Sequence, residues 1–278
     1  MKLIEEWILE DVPYFDLTTH VLGIGGKMGS IGYFSRDPVT LSSVEAAAKL
    51  LSHLGLTVLQ SAASGEKAEP GAVFLRAEGR TDDIHRAWKA ALNLLEYSCG
   101  ISTRTAKLAA AARSVNPDIA VLTTRKVFPG TKAVSIGAAL AGGALPHRLG
   151  LGETILIFDN HLKKIDGGYA GLAKLLPGIK KRVCDKEICV EVVNEEDALL
   201  MVRAGADALQ FDKLPPDELA GIVKRLRASG EAGRAVRLIA AGGVNAENAA
   251  AYAAAGVDAI STTWIYFGKP ADMSVHIE

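Results

Sequence analysis

The sequence predicts an α/β protein: a small α+β unit, then a (β/α) barrel with fewer than the full eight strands. Three observations carry this. From residue 119 onward, apolar strand-like runs alternate with helical segments in units of about 20–35 residues, the rhythm of parallel strands joined by right-handed crossovers. Six such strands are legible, short of eight. Charged or polar groups follow several different strands, and a glycine-rich turn lies in the penultimate unit; this favours a barrel over a doubly wound sheet, which gathers its ligand at one switch point.

The elements follow in order. Residues 2–10 form a short helix with Ile4, Trp7 and Ile8 on one face, stopped by Pro13. Residues 28–36 (MGSIGYFSR) alternate as a strand. Ser43 caps the helix VEAAAKLLSHLG, which ends at Gly55. LTVLQSA and AVFLRAEG are strands, the second entered through the turn AEPG. A long helical stretch, capped by Thr81, starts at Asp82, breaks near Gly100 and resumes as STRTAKLAAAARSV. The barrel strands are IAVLTT, TILIF, EICVEVV, ADALQFD, VRLIAAGG and VDAIST. Helices lie between them: AVSIGAALAGG, YAGLAKLLPGIKKR, EEDALLMVRAG, PDELAGIVKRLRASG and AENAAAYAAAG.

Composition bounds the function classes. With 278 residues and 49% hydrophobic content, the chain has ample core and is not disordered. A net charge of −1 argues against a global nucleic-acid or membrane partner, so any basic residues that matter act locally. Cys99, Cys184 and Cys189 form no close pair, which disfavours a disulfide framework or a zinc site. No apolar run approaches the ~18 residues of a membrane span, and the acidic, amphipathic start MKLIEEWILED does not read as a signal peptide. A cytoplasmic protein is expected.

The chemistry is expected at the strand ends. Arg125 and Lys126 follow IAVLTT; His147 and Arg148 lie one unit later, in GGALPHRLG. Each pair alone reads equally as a solvated loop pair. Together on one rim they favour a pocket for a polyanion. Glu191 sits inside its strand and Asp212 ends the next. A buried ion pair and a surface aspartate are the alternatives; two carboxylates facing a basic rim suit a ribose diol or Mg²⁺ better. AAGGVNAENA follows a strand and opens a helix. Gly242 and Gly243 permit close backbone approach, Asn245 caps the helix, and Ser261, Thr262 and Thr263 end the next strand. A plain βα turn is the alternative, but loops after the last two strands are where barrels bind phosphate. In Asp159-Asn160-His161, the two ionisable side chains read as braces of their loop in preference to catalysts.

Taken together, these residues resemble the quinolinate phosphoribosyltransferase (nicotinate-nucleotide pyrophosphorylase) family over nearly the whole chain. The likeness runs through LEDVPYFDLTT (9–19), AALNLLEYSCGIST (90–103), TTRKVFPG, GGALPHRLGL, ILIFDNH, CVEVV, GADALQFD, AAGGVNAEN and GVDAIST. It implies an N-terminal α/β sandwich over residues 1–105 and an incomplete α/β barrel over 106–264, with the tail 265–278 packing on the former. The implied reaction joins phosphoribosyl pyrophosphate, with Mg²⁺, to a heterocyclic acceptor. The 5′-phosphate would lie at Gly242, Gly243, Ser261, Thr262 and Thr263, and the pyrophosphate at Arg125, Lys126, His147 and Arg148. Glu191 and Asp212 would hold the ribose hydroxyls, or Mg²⁺ through water, and with Lys126 are the implied catalytic groups. The family also implies a dimer or higher even-numbered assembly, in which Lys89 and Arg104 match the segment that reaches a neighbouring site.

In the departures from the family pattern, phosphate and ribose groups are largely kept and carboxylate-recognition groups partly lost. Thr123 replaces the Asp of DTRKT, Lys89 a family arginine, and Phe158 the Lys of KDNH. Val193 replaces the second Glu of VEVE, Lys213 the Asn of LDN, and Ala241 the Ser of SGGI. This set, with the tail YFGKPADMSVHIE, resembles the ModD branch, which is associated with molybdenum transport. The implied acceptor stacks near Phe158 and is more apolar than quinolinate or carries fewer carboxylates. The rival readings are an authentic quinolinate phosphoribosyltransferase of NAD biosynthesis and a non-catalytic anion- or nucleotide-binding accessory protein of molybdate uptake.

Overall fold

The computed structural model describes residues 2–230 and 235–278, which form two compact units. The first comprises residues up to Ala106, Pro129–Gly143 and Phe267–Glu278; the second comprises Lys107–Phe128 and Ala144–Tyr266. The helix Lys132–Ala141, expected between barrel strands, thus belongs to the first unit. The reason is local: Gly142, just after it, lies so close to the helix below that a Cβ would meet Thr105 Cβ at 2.4 Å and Ser102 O at 2.5 Å.

The first unit is built on a four-stranded antiparallel sheet. Strand β1 (Met28–Ser35) pairs with β5 (Val73–Arg80) on one side and β13 (Met273–Ile277) on the other; β3 (Thr57–Ser61) borders β5. Ile31 and Tyr33 of β1 and Leu75 and Ala77 of β5 are fully buried, as period-two alternation requires. Ile4 and Ile8 of α1 (Lys2–Asp11) join this core, with Trp7 partly buried against it. Helix α2 (Leu17–Leu22) was not anticipated, although it carries a cap at each end: Asp16 accepts from the Thr18 and Thr19 amides, and Gly23 turns left-handed. Also unforeseen were the two-residue strands β2 (Val39–Thr40) and β4 (Lys67–Ala68). Ser43 precedes α3 (Val44–His53), but its side chain makes no cap bond.

Helix α4 (Thr81–Arg113) runs without a break. The expected interruption at Gly100 does not occur. A Cβ there would lie 3.0–3.1 Å from Lys269 O, Pro270 Cα and Ala271 N, so this glycine permits a close approach of the tail. Thr81 does not cap the helix as expected; its hydroxyl donates to Lys27 O at 3.1 Å.

The second unit is a curled, all-parallel half-barrel sheet. Its strands are β6 (Ala120–Thr123), β7 (Leu145–Pro146), β8 (Ile155–Ile157), β9 (Ile188–Val192), β10 (Ala208–Asp212), β11 (Arg237–Ala241) and β12 (Ala259–Thr262). In space the order is β7-β6-β12-β11-β10-β9-β8. The last strand pairs with the first, and each other strand lies beside its successor except at one seam, between β7 and β8. That is a barrel opened at one place, not a doubly wound sheet. Seven strands stand where six were legible; the extra one is β7, held by Leu122↔Leu145. The outward faces of β9 to β12 are fully or almost fully buried at Val190, Val192, Leu209, Phe211, Leu238 and Ile260. Cys189, Ala208, Ile239 and Ala259 pack on the inner face, with Leu156, Ala120 and Leu122 beside them. Among the described residues no helix is long and apolar enough to cross a membrane.

Candidate active site

Arg125, Lys126, His147, Arg148, Phe158, Glu191, Asp212, Gly242, Gly243, Ser261, Thr262 and Thr263 all lie in the second unit, at or just beyond the carboxyl ends of its strands. Arg125 and Lys126 leave β6 as exposed side chains; the Lys126 amide donates to Thr124 Oγ1 at 3.2 Å. His147 and Arg148 follow β7, the neighbour of β6, and the His147 amide donates to Thr123 O at 3.0 Å. The two basic pairs therefore share one stretch of rim. Burial and then the Arg125 charge hold the Arg148 guanidinium below its ordinary range. His147 is pushed down first by burial and then by Arg148, and its Nε2 is buried without a protein partner. Both effects favour its neutral imidazole form.

Glu191 is flanked by buried Val190 and Val192, so its side chain takes the inner face, shared with Cys189. The register pairs Glu191 with Gln210, whose Nε2 donates to Glu191 Oε2 at 3.1 Å. Asp212 lies two residues beyond Gln210 on the same face. Burial, then the Asp212 charge, raises the Glu191 carboxyl above its ordinary value. The Tyr169 hydroxyl braces the strand by donating to Glu191 O at 2.9 Å. Gln210 and Tyr169 were not singled out from the sequence; the signal for Gln210 was an amide in the middle of an apolar strand.

Beyond β8, Phe158 is half-buried and meets His161 edge-on, ring centroids 4.3 Å apart. The Phe158 amide donates to His161 Nδ1 at 3.3 Å, and Asp159 pairs with Lys163. The bracing roles expected for Asp159 and His161 are what the structure contains.

Gly242 and Gly243 both have left-handed backbones, φ 83° and 81°. A Cβ on Gly242 would strike Asp212 Oδ1 and Lys213 Cγ at 2.6 Å; one on Gly243 would meet no protein atom within 4 Å. Asn245 Oδ1 accepts from the Glu247 amide at 2.8 Å and the Asn248 amide at 3.2 Å, fixing the turn before the helix Ala249–Ala254. The hydroxyl of Thr262, expected at the phosphate, has two protein partners. It is buried, donates to Val244 O at 2.7 Å and accepts from the Trp264 amide at 3.0 Å, so it ties two loops together. Ser261 is buried as well, and Thr263 Oγ1 lies 2.9 Å from Thr124 Oγ1.

Lys89 lies in the first unit, its ammonium 5.5 Å from the centroid of the Trp88 ring. Arg104 donates to Lys269 O at 2.5 Å and packs on Gly268, which gives it a structural role in holding the tail.

Residues 16–99 match the N-terminal domain of quinolinate phosphoribosyl transferase, and residues 101–276 match its C-terminal domain. The chain belongs to the quinolinate phosphoribosyltransferase family. Within the family it is 37% identical over 243 residues to the "Putative pyrophosphorylase ModD" of Rhodobacter capsulatus, covering 87% of this chain and 92% of the relative. The protein of the same name from Escherichia coli O6:H1 is 35% identical, with 99% and 95% covered. The "Probable nicotinate-nucleotide pyrophosphorylase (carboxylating)" of Archaeoglobus fulgidus is 32% identical, with 96% and 99% covered. The structure of the nicotinate-nucleotide pyrophosphorylase from Francisella tularensis superposes with a TM-score of 0.89 at 25% identity, covering 100% of this chain and 95% of that one. The protein is a ModD-like member of the quinolinate phosphoribosyltransferase family, an enzyme of the pentosyltransferase class.

Set against the family pattern, the altered positions of the second unit lie at or just beyond its strand ends. Thr123 is fully buried beside Tyr266 and carries no charge where the family has Asp. Phe158 places a ring where the family has an ammonium. Val193 is exposed where the family has a second Glu. Lys213 takes a left-handed backbone, φ 62°, with its ammonium 3.2 Å from Asp212 Oδ2.

Proposed function

We propose that the protein transfers the phosphoribosyl group of phosphoribosyl pyrophosphate to a heterocyclic acceptor bearing fewer carboxylates than quinolinate. The observation that carries this reading is the pairing of an intact basic rim (Arg125, Lys126, Arg148) with the inner-face carboxylates Glu191 and Asp212, while Phe158 replaces the ammonium of the acceptor pocket. In the reaction the bond between C1′ and the pyrophosphate oxygen breaks, the leaving pyrophosphate takes the electron pair, and an acceptor nitrogen forms the new bond to C1′. Arg125, Lys126 and Arg148 would bind the growing negative charge of the leaving group, and neutral His147 would donate a hydrogen bond to it. Glu191 and Asp212 would accept from the ribose hydroxyls and favour the cationic sugar that develops. The 5′-phosphate would lie against the backbone at Gly242 and Gly243, where Gly243 leaves room for close approach.

The residues do not fit a metal ion caged by protein ligands alone at Glu191 and Asp212. Among the described residues no three ligating side chains converge, and the Lys213 ammonium already faces Asp212. Mg²⁺ would accompany the substrate on its phosphate oxygens, the usual habit of this ion. By the family's pattern, the assembly would be an even-numbered homo-oligomer in which the partner subunit's Lys89 completes the site.

The retained basic rim also favours a second reading, authentic quinolinate phosphoribosyltransferase activity. One experiment separates them: incubation with phosphoribosyl pyrophosphate, Mg²⁺ and a panel of heterocyclic acids and bases, with mass spectrometry of the nucleotides formed. A nucleotide from an acceptor other than quinolinate is expected. Nicotinate mononucleotide as the dominant product would establish the second reading. No pyrophosphate release with any acceptor would leave a binding protein without catalysis.

A further inference from the structure

Lys213 is one of only two non-glycine residues with a left-handed backbone among those described. A lysine there pays for contact between its Cβ and its own carbonyl, whereas the asparagine of the family pattern enters this region more readily. Strain of this kind persists where the surroundings over-determine it, and at functional sites. The surroundings here do so. The Lys213 amide donates to Ala241 O at 2.8 Å, and Gly242 gives way to both Asp212 and Lys213, since a Cβ would lie 2.6 Å from Asp212 Oδ1 and 2.7 Å from Lys213 N. The backbone turn folds the long side chain back on its own neighbour, with Nζ 3.2 Å from Asp212 Oδ2. Glu191 shares this inner face, and the Lys213 charge favours its ionised form against the opposing Asp212. Two carboxylates on adjacent strands concentrate negative charge, and the Gln210 amide, a neutral group, donates to one of them.

We infer that Lys213 is the resident counter-cation of the Glu191–Asp212 pair and takes the place of a divalent metal at those carboxylates. The inference rests on the reading of the pair as the ribose-facing carboxylates. Its consequence is that the pair is charge-compensated before substrate arrives.

The test uses the full-length protein without phosphoribosyl pyrophosphate or acceptor, so it stands apart from the question of turnover. Mn²⁺ serves as the probe and is titrated by electron paramagnetic resonance. Wild type and Lys213→Arg are expected to bind Mn²⁺ weakly. Lys213→Asn, and Lys213→Gln as a second variant, should bind at least about tenfold more tightly, since an opposing charge at contact distance is removed. Adding Asp212→Asn to Lys213→Asn should abolish the gain. Equal Mn²⁺ affinity in wild type and both neutral variants, all with native circular dichroism, would overturn the inference; so would a gain that survives Asp212→Asn. A protein that shows the expected Mn²⁺ pattern but transfers no phosphoribosyl group would retain the counter-cation and lose the proposed function.

Discussion

Phe158→Lys tests the acceptor pocket at the position where the chain departs most sharply from its family. In the wild type, a carboxylate of quinolinate brought to this point would face a half-buried ring wedged against His161. Leaving a buried polar group unpaired costs ~1–3 kcal/mol. At ~1.4 kcal/mol per tenfold, restoring a lysine there should improve quinolinate kcat/KM by about 5- to 160-fold. A carboxylate contact of this kind is present both before and during the transfer, so the gain should fall on KM with kcat little changed. The variant also loses the ring contact with His161, about 0.5–1.5 kcal/mol of fold stability, which a modest drop in Tm would register. The assay is initial-rate pyrophosphate release against quinolinate concentration at saturating phosphoribosyl pyrophosphate. Wild-type quinolinate turnover with kcat/KM of about 10⁴ M⁻¹s⁻¹ or more would refute the reasoning. So would a folded Phe158→Lys enzyme with an unaltered KM.

Two further outcomes are expected. Because burial and then Asp212 raise the folded-state pKa of Glu191, its ionised form weakens the fold at neutral pH. Glu191→Gln should therefore raise Tm near pH 7 while abolishing transfer; the gain in Tm should fade as pH falls through the Glu191 range and vanish below about pH 4.3, where the glutamate of the unfolded chain is itself protonated. A lower Tm at pH 7 would show that the carboxylate is a net stabiliser. Mixed Lys89→Ala and Arg125→Ala subunits, each inactive alone, should regain partial activity through hybrids holding one intact site; no recovery despite verified subunit exchange would place the site within one chain.

The fold was legible where local pattern and burial agree. The apolar runs around Cys189–Val192, Leu209–Phe211 and Leu238–Ala241 read as buried parallel strands because they are short and bounded by turn signals. Strand β7 escaped because Leu145-Pro146 owes its place to the register with β6, which no local pattern encodes. Strand β13 escaped for the same reason, since Tyr33↔Val275 joins the two ends of the chain. Gly100 misled because a glycine that admits a neighbouring backbone looks, in sequence, like one that breaks a helix. In the site, Arg125, Lys126 and Asp212 stand out because they end or follow apolar strands, and Glu191 because it interrupts one. What stayed hidden was how neighbours use them: the Thr262 hydroxyl is consumed by Val244 and Trp264, and Gln210 reaches Glu191 only through strand register.

The most direct measurement is calorimetric titration of phosphoribosyl pyrophosphate into wild type, Arg148→Ala and Phe158→Lys. If the rim beside β6 and β7 holds the pyrophosphate, wild type binds, Phe158→Lys binds equally well, and Arg148→Ala loses about 2 kcal/mol or more, roughly a 30-fold weaker Kd. Unchanged affinity in a folded Arg148→Ala protein would take the basic rim out of the site and contradict the account.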